Sequence, residues 1–156
     1  MIEIIEAKTD EHIEQAQTLF REYKAGIGLN LCFQNFDDEV ATLPGKYAAP
    51  EGRLLLAFSD GKLAGCIALR KLETRVCEMK RLFVRDDFRG QKIGIALIER
   101  IIKEARETGY RTMRLDTYPP KMAKAVALYE SYGFRTIQPY YENPYDDTLF
   151  MELALV

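Results

Sequence analysis

Residues 76–109 read VCEMKRLFVRDDFRGQKIGIALIERIIKEARETG, and the order within them, a strand, a glycine turn and then an amphipathic helix, decides the fold. A helix opening near Lys92 leaves its first four backbone N–H groups without internal partners, and its summed peptide dipole puts partial positive charge at that end. An anion such as a phosphate is held there by backbone alone. Gly90 and Gly94 remove Cβ atoms from the approach, and Arg89 and Lys92 add cationic donors at the rim, so a pyrophosphate is the expected guest. Within the helix, Ile93, Leu97, Ile98, Ile101, Ile102 and Ala105 form one apolar stripe. Glu99, Arg100, Lys103, Glu104, Arg106 and Glu107 make the wet face, and Gly109 suits a left-handed stop.

Outward from this junction the chain alternates strands and helices. Ile2 to Ala7 reads as a short strand, and Thr9 or Asp10 caps a helix to about Lys24 that Gly26 and Gly28 break. A second short helix is expected over Asn35 to Thr42, before Pro44-Gly45. Arg53 to Phe58 and Lys62 to Leu69 are β-leaning runs joined at Ser59-Asp60-Gly61, a hairpin signature. Cys77 to Val84 supplies the strand before the turn, and Arg111 to Thr117 the strand after the helix. Pro119-Pro120 is read as keeping that strand from running directly into a helix over Met122 to Tyr132. Gly133 ends the helix, Phe134 to Ile137 is a strand, and Thr148 to Val156 closes the sheet with alternating Leu149, Met151, Leu153 and Leu155. A meander leading into strand, helix, strand, helix, strand predicts an α+β fold with a mixed, mostly antiparallel central sheet flanked by helices. A dinucleotide fold fits poorly, because its GxGxxG follows an early strand and an acid about 20 residues further on completes it.

Composition narrows the function. A length of 156 residues predicts one domain over 1–156, with 47% hydrophobic and 29% charged residues as in ordinary soluble proteins. A net charge of −2 offers no basic field for nucleic acid, and MIEIIEAK carries neither a leader nor a membrane span, so a cytoplasmic location is the default. Cys32, Cys66 and Cys77 lack CxxC spacing and are read as buried small residues. The single His12 excludes a multi-histidine metal centre, and no metal is expected.

Gln91-Lys92-Ile93-Gly94-Ile95-Ala96 resembles the Gln/Arg-x-x-Gly-x-Gly/Ala signature of the GNAT superfamily of acetyl-CoA-dependent N-acetyltransferases. Leu128-Tyr129-Glu130-Ser131-Tyr132-Gly133-Phe134 resembles that family's later LYExxGF block, and the likeness spans most of Leu54 to Leu155. The resemblance implies a GNAT-like sheet and acetyl-CoA as co-substrate. Its pyrophosphate would lie on the backbone of Arg89, Gly90, Gln91, Lys92, Ile93, Gly94, Ile95 and Ala96. The main chain of Leu82, Phe83 and Val84 would pair with the pantetheine arm like an added strand. It implies also that the strands carrying Leu82 and Leu115 splay apart to admit that arm.

The same resemblance assigns two catalytic side chains. Glu78, the only carboxylate in Cys77 to Val84, occupies a strand whose glutamate often serves as general base, and partial burial would raise its proton affinity toward neutrality. Its other reading is a glutamate paired with Lys80 or Arg81. Tyr129 matches the tyrosine that protonates the departing thiolate; a phenol, with a pKa of about 10 against about 8.5 for a thiol, stays protonated at neutral pH. Tyr132 is the alternative acid. Many members carry an asparagine seven residues before this tyrosine, whereas this chain has Met122.

The acceptor expected from the resemblance is a primary amine of a small molecule or peptide, and a homodimer is left open. The first two helices roof the acceptor site in the family, which brings Phe33, Phe36 and Tyr47 forward as substrate contacts or as core. The loop PYYENPYDD, Pro139 to Asp147, combines Tyr140, Tyr141 and Tyr145 with Glu142, Asp146 and Asp147, a composition suited to a cationic amine. The competing reading is a catalytically weak acyl-CoA-binding or regulatory module, and a nucleotide-binding domain is a third.

Overall fold

The computed structural model describes residues 1–28 and 35–155, without the side chains of residues 120–123. Cys32, Phe33 and the side chain of Met122 lie outside the described part. Among the described residues seven strands form one sheet: β1 (Ile2–Glu6), β2 (Arg53–Ser59), β3 (Lys62–Glu73), β4 (Val76–Val84), β5 (Thr112–Thr117), β6 (Arg135–Ile137) and β7 (Leu149–Ala154). Their spatial order is β1-β2-β3-β4-β5-β7-β6, and every pair is antiparallel except β4 with β5. The helices are α1 (Asp10–Ile27), α2 (Phe36–Ala41), α3 (Ile93–Thr108) and α4 (Pro119–Ser131).

The run Leu54-Leu55-Leu56-Ala57 is buried on both sides because the sheet is covered on both. Leu54 and Leu56 pack with Ala16, Leu19 and Phe20 of α1 and with Phe36 and Val40 of α2. Leu55 and Ala57 face the opposite way, into the cluster that holds Leu97, Ile101 and Ala105 of α3. The expected α3 stripe is thus the side that covers the sheet.

Helix ends follow local chemistry. The Thr9 side chain accepts from His12 N, and the His12 ring accepts from the Thr9 amide, so the lone histidine completes a capping box. Helix α1 runs past Gly26 to Ile27 and stops at left-handed Gly28. Helix α4 begins at Pro119, three residues before the expected start. Two prolines in a first turn give up amides that have no intrahelical partner there, so they open this helix and do not delay it. Strand β3 extends to Glu73, beyond the expected Leu69, because Arg75 takes a left-handed conformation and turns it tightly into β4.

Two irregularities shape the middle of the sheet. The β4–β5 ladder ends at Glu78↔Arg114, while β4 continues to Val84 and β5 to Thr117. On the other side of β4 the register with β3 shifts between Cys66 and Ala68, where Arg81 adopts φ +62°. A bulge at this point bends β4 away from β5. Beyond it β4 is pressed against β3 so closely that a Cβ on Gly65 would lie 2.5 Å from the Phe83 carbonyl oxygen. Only glycine fits there.

Candidate active site

The widening gap between β4 and β5 leaves the β5-facing main chain of Leu82, Phe83 and Val84 without a ladder partner, as the resemblance implies. Such an edge can accept an extended, amide-bearing ligand. Its walls carry Leu82, Leu115, Asp116 and the Tyr129 side chain. Where the edge ends, Gly90 takes φ +88° and Lys92 φ +62°, and α3 starts without a side-chain cap. The first backbone bond into Lys92 comes from Ala96, so the amides of Ile93, Gly94 and Ile95 point outward from the helix start. Gly90 is required by its dihedral angle, since a Cβ there would touch nothing within 4 Å. At Gly94 a Cβ would meet only Val84 Cγ2, at 3.8 Å. Gln91 is tied back by a bond from Ser59 Oγ at 2.7 Å, and Arg89 pairs with Asp86 on the exposed rim. These features fit a diphosphate carrier: open amides, helix-end charge and no bulky side chain in the approach.

Tyr129 is buried and packs edge-on against Phe134, with its hydroxyl bonded to no described residue. Burial pushes that hydroxyl well above the ordinary phenol range, so it is a proton donor throughout neutral pH. Tyr132, by contrast, sends its hydroxyl to Glu99 at 3.0 Å, away from the gap.

Glu78 is fully buried, and both its oxygens are occupied. Arg70 Nε donates to Oε1 at 2.8 Å, the Tyr140 hydroxyl donates to Oε2 at 2.6 Å, and Lys80 Nζ lies 3.8 Å from Oε1. Burial alone would raise its pKa, but Lys80, Arg70 and the Tyr140 hydroxyl outweigh burial and bring it below the ordinary carboxylate value. The expected rise toward neutrality is therefore reversed. Lys80, two residues along the strand, and Arg70, directly across from Glu78 in the β3–β4 register, are the main reasons. The sequence reading named Lys80 and Arg81 as partners; Lys80 is one, whereas Arg81 binds elsewhere.

Arg81 is buried and grips Glu39 of α2 through Nε at 2.8 Å and through Nη2 at 3.0 Å. Its guanidinium lies over the rings of Phe36 and Tyr23, 5.0 and 5.5 Å from their centroids. Phe36 and Tyr47 flank Phe20 in the core, so their packing role holds, and Tyr47 also reaches the wall of an adjoining cavity. That cavity, about 450 Å³, lies under α2 between Arg70, Lys80, Arg81 and Tyr141. It shares Lys80 and Arg81 with the gap that holds Tyr129, so two openings meet at the β4 bulge.

The loop over Pro139 to Asp147 divides by residue type. Tyr140 reaches Glu78, Tyr141 donates to Asp116, and Tyr145 stacks edge-on against Tyr118. Glu142, Asp146 and Asp147 are exposed. Tyr140 and Tyr141 of the expected acceptor loop thus reach the site's carboxylates, and the acidic half does not. Sequence reading missed Arg70 and Asp116: Arg70 lies in the charged end of β3 (Arg70-Lys71-Leu72-Glu73) and Asp116 in the alternating β5, so neither stands out locally.

The sequence profile of the Acetyltransferase (GNAT) family matches residues 11–134. The chain belongs to this family. An uncharacterised N-acetyltransferase of Schizosaccharomyces pombe is 39% identical over 99% of this chain and 95% of its own. A GNAT-family acetyltransferase of Staphylococcus aureus superposes with a TM-score of 0.82 at 23% identity, over the whole of both chains. An N-acetyltransferase of Thermoplasma acidophilum, solved in complex with coenzyme A, gives a TM-score of 0.71 at 21% identity over 99% of each chain. The protein is therefore a GNAT acyltransferase with the mixed, mostly antiparallel sheet expected of it. No helix among the described residues is long and apolar enough to cross a membrane.

Proposed function

We propose that this GNAT protein moves the acetyl group of acetyl-CoA to a primary amine of a small molecule or peptide, by direct attack while both substrates are bound. The observation that carries this reading is the meeting of two openings at one bulge. The unpaired edge of β4 runs from Leu82, on the wall that carries Tyr129, to Val84, whose side chain lies beside Gly94 at the α3 start, and the cavity under α2 shares Lys80 and Arg81 with that wall. In this reading the amides from Arg89 to Ala96 hold the diphosphate, and the free edge of Leu82, Phe83 and Val84 aligns the arm. Holding both reactants turns an encounter between two solutes into an internal step.

Tyr129 is the acid. As the amine nitrogen bonds to the thioester carbon and the carbon–sulfur bond breaks, the Tyr129 hydroxyl hydrogen-bonds the departing sulfur and delivers its proton, and the proton shed by the newly acylated nitrogen passes through solvent to restore the phenol. Glu78 enters as a fixed anion. Held below the ordinary carboxylate range by Lys80 and Arg70, it is a weak proton acceptor and acts by fixing Arg70 and Tyr140 beside the incoming amine. The amine then reacts as the free base, its proton going to solvent, and the acidic limb of the rate follows amine ionisation.

Thiol release from acetyl-CoA across a panel of amines tests the transfer. Tyr129→Phe should lower kcat about 30- to 1000-fold, the scale of losing a donor aimed at developing charge, with CoA affinity little changed. Tight CoA binding without thiol release on any amine would favour the acyl-CoA-binding module instead.

A further inference from the structure

We propose that the acceptor is a small amino-carboxylate, an amino acid or close analogue, whose carboxylate is held end-on by Arg70. This proposal rests on the acetyl-transfer reading and names the substrate class for the same site. Arg70, Lys80, Arg81 and Lys46 reach the cavity under α2, against Asp38 and Glu39. Net charge does not decide the matter, because Glu39 is taken by Arg81, and Lys80 stands between Glu78 and Asp116 at 3.8 and 3.9 Å. Open donors decide it.

Arg70 gives only Nε to Glu78, and its two terminal NH2 groups bond to no described residue although the side chain is only a quarter exposed. Those two groups form the forked edge of the guanidinium that matches the two oxygens of a carboxylate. The buried anion behind Nε holds the fork in place, so little further side-chain freedom is lost when a ligand binds. Lys46, on the same cavity, is exposed and pairs with no acid among the described residues. A carboxylate on this fork leaves an amine of the same small molecule to extend toward Lys80 and Arg81, where the two openings meet. A polyamine would instead bring positive charge against the open donors of Arg70. The acids that might have attracted it, Glu142, Asp146 and Asp147, face solvent.

Paired acceptors separate these cases. Thiol release is measured with L-amino acids, with the same amino acids carrying each carboxylate in turn as its primary amide, and with spermidine. The carboxylate form should exceed its amide by about 30-fold in kcat/KM, mostly through KM, as expected for a charge-assisted pair of hydrogen bonds. Arg70→Gln should bring the ratio to within about threefold of one, and Arg70→Lys should restore part of it. Exposed Lys46→Ala, which leaves the packing intact, should lower the ratio a few-fold. Equal use of acid and amide by the wild type, a preference for spermidine, or an unchanged ratio in Arg70→Gln would overturn the proposal while leaving acetyl transfer standing. Calorimetric titration of the CoA-bound protein with the same pairs covers the converse. Binding of the acid and not the amide, without thiol release on any amine, would uphold the carboxylate site and remove the transfer reading.

Discussion

Replacing Glu78 by glutamine tests the buried charge network most directly. The glutamine is nearly isosteric and can still accept the Tyr140 hydroxyl, but it leaves Arg70 and Lys80 facing a neutral group. Breaking a fully buried pair costs about 3–5 kcal/mol. Arg70 is a quarter exposed and recovers some hydration, which brings the expectation to about 2–3 kcal/mol. For a chain of this length, an unfolding entropy of about 0.3 kcal/mol per degree converts that loss into a Tm lowered by about 6–9 °C. The sign with pH follows from the depressed pKa of Glu78. Its contribution is complete above the ordinary carboxylate value of 4.5 and is lost as pH falls through the lower, folded value. Urea unfolding of both proteins at pH 7 and at several values below 4.5 should therefore show the wild-type advantage shrinking on acidification. A difference that stays constant with pH, or a glutamine variant more stable at neutral pH, would refute the reasoning, because desolvation would then outweigh the ion pairs.

Other substitutions probe the frame. Gly94→Ala should leave CoA affinity near wild type, given 3.8 Å to Val84 Cγ2, whereas Gly94→Trp should abolish CoA binding measured by calorimetry. Gly65→Ala forces a Cβ to 2.5 Å from the Phe83 carbonyl and should destabilise by about 1–3 kcal/mol in denaturant titration. Neutralising Glu142, Asp146 and Asp147 together should leave the acceptor KM unchanged, since all three are exposed.

The glycine turn, the α3 stripe and the succession of strands and helices were legible because each depends on neighbours in sequence, whereas the insertion of β7 between β5 and β6 is set by tertiary pairing. Periodicity placed Ile93, Leu97, Ile101 and Ala105 on the buried side, and Gly109 ended the helix with φ +104° as expected. The site was legible in part. Glu78 and Tyr129 came from motif position, but the state of Glu78 depends on Arg70 across a hairpin and on Tyr140, 62 residues away. Strand register is a tertiary property, so no local pattern in VCEMKRLFV announces which cation will lie opposite the carboxylate. The start of α4 was misplaced for a different reason. Pro119-Pro120 reads as a barrier beside a strand, but proline's fixed backbone angle also favours the first turn of a helix.

Arg81 joins parts of the molecule that serve different substrates. One guanidinium, on a residue held in the left-handed region, fastens Glu39 and Phe36 of the roofing helix to the strand that would align the thioester. If the proposed sites hold, lineages that remodel this helix to admit a new acceptor would thereby also disturb the strand proposed to seat the acyl donor. Adaptation on the acceptor side is constrained by a partner it never meets, and compensating changes would be expected to arise at Glu39 and Arg81 as a couple.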